Sequence, residues 1–167
     1  GAKIKLDFPS VGATENIILA TVLSKGTTTI NNAAMEPEII DMVQFLKKMG
    51  AKIQGEGTNQ IIIDGVEKLS GVSYNIMPDR IEAGTILCAV AATGGNVTLD
   101  NVIPEHLTAV INKLEETGCK IEINNKKITL NAPKKLKPID IKTMTYPGFP
   151  TDLQQIFATM LVKASGT

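Results

Sequence analysis

Thr151 and Asp152 follow Tyr146-Pro147-Gly148-Phe149-Pro150 and stand before the last apolar-periodic segment of the chain. By residue chemistry alone, either side-chain oxygen reads as the N-cap of a helix. The carboxylate also suits the positive end of the helix dipole. Ser10-Val11-Gly12 precede another helical segment, and a turn that presents free N–H groups ahead of a helix can hold an anion. Arg80 and Glu82 sit at a connector, where they can form an interdomain ion pair, help with a phosphate, or equally make only a solvated pair. Glu36 and Glu38 flank Pro37 and read as residues serving a helix start. His106, also at a helix start, reads as structural. Cys88 and Cys119 lie among apolar neighbours and read as buried thiols of a reducing, cytoplasmic compartment rather than as a disulfide. One histidine and two scattered cysteines give no ligand spacing, so no metal centre is expected.

The elements that must position these residues follow from periodicity and punctuation. Residues 3–8 alternate as a strand, and residues 9–14 read as a turn feeding a helix over 15–23. A β-branched strand over 27–31 follows, then a helix over 37–49 opened by Pro37 and stopped by Gly50. Short strands are expected over 52–55 and 60–64. The order then recurs: a strand over 73–76, a helix over 81–92, a strand over 96–100, a helix from Pro104 to about residue 117, and a hairpin over 120–124 and 127–131. Gly26-Thr-Thr-Thr-Ile-Asn-Asn-Ala33 aligns with Gly95-Asn-Val-Thr-Leu-Asp-Asn-Val102, and Gly50-Ala-Lys-Ile53 with Gly118-Cys-Lys-Ile121. A third copy starts near Ile139 and breaks off at Thr167. The sequence therefore predicts an α/β (α+β) protein of repeated β-α-β-α-β-β units.

Hydrophobic residues make up 43% of the chain, enough for a packed core, so disorder is not expected. The 17 basic and 17 acidic residues cancel, and the basic run Lys134-Lys135-Leu136-Lys137 is a short connector, so no nucleic-acid partner is expected. No apolar run approaches the ~20 residues of a membrane span. The chain does not begin with Met and reads as a piece of something longer.

Phe8-Pro-Ser-Val-Gly-Ala-Thr-Glu-Asn16, Asn32-Ala-Ala-Met-Glu-Pro-Glu-Ile-Ile-Asp41, Pro78-Asp-Arg-Ile-Glu-Ala-Gly-Thr85 and Pro147-Gly-Phe-Pro-Thr-Asp152 together resemble the UDP-N-acetylglucosamine 1-carboxyvinyltransferases, an enolpyruvyl transferase family. The resemblance spans essentially the whole chain. It implies two domains of three units each in an inside-out α/β barrel, of which this chain holds an incomplete interior part. Residues 1–77 would be the last unit of the first domain, and 78–167 the first unit and the start of the second unit of the other domain.

The implied reaction moves enolpyruvyl from phosphoenolpyruvate to the 3-hydroxyl of UDP-N-acetylglucosamine and releases phosphate, a step of peptidoglycan precursor synthesis, with no cofactor. A proton leaves the sugar hydroxyl and one is delivered to the enol methylene carbon. The resemblance makes Asp152 the general base, sets Ser10, Val11 and Gly12 against the nucleotide-sugar, and makes Thr151 and Arg80 further substrate contacts. An ordinary carboxylate of pKa ~3.9 is a weak base toward an alcohol, and a helix N-terminus weakens it further. Such a base works where proton transfer is late and coupled to C–O bond formation, or where burial disfavours its charged form.

The family's mobile loop with its acid cysteine (aspartate in some members), its Lys-Asn pair and the arginines that hold phosphoenolpyruvate have no matching motif here. Neither Cys88 nor Cys119 stands in for that cysteine. The rival readings are the sister enzyme acting on shikimate 3-phosphate and a non-catalytic repeat scaffold. Open strand edges in a truncated unit lead to an expectation of self-association. The 167 residues alone are expected to be inactive, and detectable enolpyruvyl transfer by the purified segment would overturn that expectation.

Overall fold

Alternating burial along a strand and a 3.6-residue stripe along a helix can be satisfied together only if helices cover one face of a sheet. The computed structural model, which describes residues 1–166, meets this requirement twice, in units spanning Gly1–Met77 and Pro78–Thr167.

The first unit runs Lys3–Lys5 (β1), Val11–Thr21 (α1), Thr27–Asn31 (β2), Pro37–Lys48 (α2), Lys52–Gln54 (β3) and Gln60–Asp64 (β4). Its sheet order is β1-β2-β4-β3, with β1 parallel to β2 and the other pairs antiparallel. Ile30, Ile61 and Ile63 are fully buried beneath Ile18 of α1 and Ile39, Val43 and Leu46 of α2. Pro37 opens α2, with Glu38 in its first turn and Lys47 and Lys48 in its last, so both ends suit the dipole.

The second unit runs Arg80–Thr93 (α3), Asn96–Leu99 (β5), a 3-10 turn Pro104–Leu107, Thr108–Glu116 (α4), Lys120–Asn124 (β6) and Lys127–Asn131 (β7). A further 3-10 turn, Thr151–Leu153, leads into Gln154–Leu161 (α5). The sheet order is β5-β7-β6, all antiparallel. The repeat extends to backbone conformation. Asn32 and Asn101 sit at φ 59° and 57°, and Gly50 and Gly118, each just after a helix, at φ 106° and 97°. A left-handed residue there lets the chain leave the helix and turn back along the sheet. No closed barrel forms among the described residues.

Several expectations need correction. Helix α1 begins at Val11, four residues before the expected start, because Ser10 caps it. The segment from Pro104 opens as a 3-10 turn before α4 begins. Residues 73–76, expected as a strand, form none. Tyr74 is instead fastened to α2: its ring lies 5.3 Å from that of Phe45, its hydroxyl donates to Asp41 Oδ1 at 2.8 Å, and Lys48 Nζ stands 5.0 Å from the ring centre. Burial, then the Asp41 carboxylate, push the Tyr74 phenol above its ordinary pKa. The third copy shows a single bridge, Thr143 to Phe149, in place of a strand near Ile139. The repeat puts that strand's partner at Thr167 and beyond, outside the described residues.

The α3–α5 packing fixes the turn before α5. Leu153 is fully buried, and a Cβ on Gly84 of α3 would come within 2.6 Å of its Cδ1. Gly84 thus lets Leu153 lie directly on the helix backbone. Leu153→Ala in the full-length protein is expected to cost about 2–5 kcal/mol, read from the urea midpoint. A change below about 0.5 kcal/mol, the range of an ordinary surface substitution, would mean that this contact does not anchor the turn.

Candidate active site

Ser10 is the N-cap of α1, at φ −83° and ψ 126°, and its Oγ accepts from Ala13 N–H at 3.2 Å. Val11 and Gly12 are therefore first-turn residues and not part of a preceding loop. Their N–H groups are among those that a helix leaves without an intrahelical acceptor. A Cβ on Gly12 would meet nothing within 4 Å, so packing within the described residues does not demand glycine there. No acidic side chain occupies the first turn.

This helix start is held by Thr14, fully buried one turn in. Its hydroxyl donates to Ser10 O at 2.8 Å and accepts from Ala34 N–H at 3.0 Å, so it ties α1 to the loop before α2. Nothing in the local sequence distinguishes Thr14 from an ordinary helical threonine, and its partner is twenty residues away.

In the other unit, the turn carrying Thr151 and Asp152 is braced from below. Met144 N–H donates to Phe149 O at 2.9 Å, and Gly148 N–H to Thr145 O at 2.8 Å, which folds the Tyr146-Pro147-Gly148 tip back on itself. The Tyr146–Pro147 peptide is cis. Phe149 packs edge-on against Phe157 of α5, with ring centres 4.8 Å apart at 88°, and both are buried. Between these anchors, Thr151 and Asp152 are exposed. Neither side chain caps the helix, contrary to the sequence reading. Pro150 takes the cap position of the 3-10 turn, and Asp152 contributes only its backbone carbonyl, to Gln155 Nε2 at 2.8 Å. The Asp152 carboxylate accepts no hydrogen bond within the described unit, so it is not committed to holding the backbone.

Arg80 opens α3 behind Asp79, whose Oδ1 accepts from Ile81 N–H at 2.7 Å and Glu82 N–H at 3.3 Å. The Arg80 side chain is buried, 8% exposed, with its guanidinium carbon 5.4 Å from the centre of the Tyr146 ring. That burial removes the reading of a solvated Arg80–Glu82 pair: Glu82 is exposed and Arg80 is not. The cation–π contact joins the α3 start to the Tyr146 tip, a pairing that sequence reading missed because 66 residues separate the partners. Beside it lies a cavity of about 310 Å³ lined by Arg80, His106, Asn112, Tyr146 and Pro150 among others. Neither Thr151 nor Asp152 lines it. Glu38 lies in the first turn of α2, and Glu36, at its N-cap, is buried.

Cys88 and Cys119 are free thiols buried in the second core. Burial, then the neighbouring Cys119, push the Cys88 thiol up to about 12. Burial likewise raises Cys119, against a weak hydrogen bond shared with Thr117. Neither is a thiolate near neutral pH, so neither serves as nucleophile or acid–base group. No His/Cys/Asp/Glu group among the described residues has the makings of a metal site, and no helix there is long and apolar enough to cross a membrane.

The fold matches solved enolpyruvyl transferases. The enzyme NikO from Streptomyces tendae superposes with a TM-score of 0.84 at 24% identity over 99% of this chain and 42% of that one. The EPSP synthase of Acinetobacter baumannii gives 0.60 at 25% identity over 85% of this chain and 34% of that one. The family model for EPSP synthase (3-phosphoshikimate 1-carboxyvinyltransferase) matches residues 1–167, and the chain belongs to that family. Among curated relatives, UDP-N-acetylglucosamine 1-carboxyvinyltransferase 2 of Bacillus cereus (strain ATCC 14579) is 59% identical over all 167 residues, and the protein of the same name from Geobacillus kaustophilus is 57% identical. The chain spans 39% of the length of each.

Thr14→Val keeps the shape at that position and removes the hydroxyl, leaving Ala34 N–H buried without its acceptor. The expected loss is about 1–3 kcal/mol in the denaturation midpoint of the full-length protein. An unchanged midpoint would show that the hydroxyl does not hold the α1 entry.

Proposed function

We propose that the full-length protein transfers enolpyruvyl from phosphoenolpyruvate to the 3-hydroxyl of UDP-N-acetylglucosamine, releases phosphate, and works in the cytoplasm on the route to peptidoglycan. The observation that carries this reading is 59% identity, along every residue of the chain, to an enzyme bearing that substrate in its name. Such identity favours the nucleotide-sugar over shikimate 3-phosphate, the substrate in the name of the wider family. In this reading residues 1–77 close one domain and 78–167 open the other.

Asp152 takes the proton from the sugar hydroxyl as the C–O bond forms. Its exposed place on a turn anchored by Phe149, Leu153 and Phe157 supports that role, since the turn is held in position and the carboxylate is not spent on a helix cap. Proton transfer that is late and coupled to C–O bond formation is the route by which a carboxylate serves as base toward an alcohol. The N–H groups of Val11 and Gly12, with Ser10, suit the oxygens of a diphosphate. Thr151, one residue from the base, contacts substrate, and Arg80 supplies positive charge near the Tyr146 tip. The 167 residues by themselves are inactive and self-associate through their open sheet edges.

The test is Asp152→Asn in the full-length enzyme, which keeps shape and removes the base. The kcat for UDP-N-acetylglucosamine is expected to fall about 10²–10⁴-fold while the dissociation constant changes little. A near-unchanged kcat would remove Asp152 from the chemistry and favour a scaffold. Turnover of shikimate 3-phosphate in place of the nucleotide-sugar would transfer the assignment to the sister reaction.

A further inference from the structure

The buried stripe of α3 is Arg80, Ala83, Gly84, Leu87, Cys88 and Ala91, the spacing of a helix laid against a core. Two of its members are unlike the rest. Arg80 puts a charge where an apolar residue is expected, and Gly84 gives up a side chain in mid-helix. Both meet the segment that carries Asp152. Arg80 faces the ring of Tyr146, ahead of Asp152, and Gly84 receives Leu153, directly behind it. The two stand one turn apart on the same helix face, about 6 Å along the axis. A single rigid element therefore touches the segment on both sides of the carboxylate.

These two contacts differ in kind. Leu153 is fully buried, and core packing holds it. Tyr146 is only half-buried, and the cavity of about 310 Å³ beside it is also lined by Pro147, Gly148 and Pro150. Close packing does not wedge the tip on that side, so a released ring has room to move. Arg80, by contrast, is fixed. It is buried in the first turn of a helix whose N-terminus Asp79 closes by accepting from Ile81 and Glu82 N–H.

The path from the ring to Asp152 is short and stiff. A Cβ on Gly148 would stand 2.5 Å from Met144 Cβ and 2.9 Å from Thr145 O, so only glycine lets the tip close this tightly. The Met144 and Gly148 N–H bonds then tie it across. Pro147 and Pro150 each remove one backbone rotation, and Pro150 is the residue directly before Thr151. A shift of Tyr146 is carried along such a segment and not absorbed within it.

We infer that Tyr146 is a positioning residue for proton transfer at Asp152, held for that task by the Arg80 guanidinium on its ring. The role rests on Asp152 as the base. The attraction needs the electron-rich ring face and not the phenol hydroxyl. Arg80 thus sets the place of the base through Tyr146.

The experiment follows kcat and the dissociation constant for UDP-N-acetylglucosamine in the full-length protein. Tyr146→Phe keeps the ring face and is expected to hold kcat within about twofold. Replacing that Phe by 3,4,5-trifluorophenylalanine keeps the shape, drains the face, and is expected to lower kcat about threefold or more. Tyr146→Leu removes the face altogether and is expected to lower kcat about 10–100-fold, the scale of a misplacement near 1 Å, with the dissociation constant little changed. In an Asp152→Asn background the same Leu substitution is expected to change kcat less than about twofold, since an absent base cannot be misplaced.

A fluorinated ring as active as Phe overturns the inference, and being isosteric it decides the matter even where Tyr146→Leu does not fold. A Leu loss of equal size in both backgrounds overturns it too, because the residue then acts on folding or on substrate directly. Loss in Tyr146→Phe would give the role to the hydroxyl and overturns it likewise. None of these three results touches Asp152 as the base. An unchanged kcat in Asp152→Asn alone removes the base, and this inference with it.

Discussion

Both units depend on the two-residue period of one strand in each. In β4, Ile61 and Ile63 face the helices and are completely buried; in β7, Ile128 and Leu130 do the same. Each strand is central, paired on both sides. A slip of one residue would expose those side chains, bury their polar neighbours and unmake the pairing with two other strands. At about 1.5–3 kcal/mol for each fully buried Ile or Leu, two such residues on one strand outweigh any single cap or surface ion pair in the unit. The pairs Lys47–Glu56 and Lys113–Glu116 trim surface loops and helix ends; they do not decide the fold.

Legibility in the sequence followed that same hierarchy. The hairpin over Lys120–Asn124 and Lys127–Asn131 was readable to the residue because alternation and the Asn125-Lys126 turn agree, with Asn125 at φ 52°. The two-fold recurrence was readable because the left-handed positions recur with it. Residues 73–76 failed for a reason that no local pattern contains. Alternation says that a segment can be a strand; it cannot say whether an edge is within reach, and Tyr74 found a better partner in Phe45 and Asp41. The 3-10 openings at Pro104 and Thr151 failed because proline fixes where a helix starts but not how tightly its first turn winds.

The chemical residues divide along similar lines. Ser10 was expected at a helix entry and is there, but as the cap itself. Its own oxygen is thereby occupied by Ala13 N–H, and any anion is left to the backbone of Val11 and Gly12. Thr151 and Asp152 were expected as caps and are not. Arg80 was legible as a charged residue near a connector, while its burial against Tyr146 was not, since contacts between distant segments leave no trace in either one.

The consequence for Asp152 lies in what holds it. A capping carboxylate is stabilised as an anion by the N–H groups it satisfies, which makes it a poorer base. Here Pro150 occupies the cap position, and the turn is fixed by apolar anchors: Phe149 on Phe157, and Leu153 on the bare backbone of Gly84. Packing can fix a side chain's position to a fraction of an ångström without drawing on its charge, whereas a cap fixes it by consuming that charge. A turn built from aromatic and aliphatic anchors therefore fixes the backbone at Asp152 while leaving its carboxylate uncommitted to any helix end.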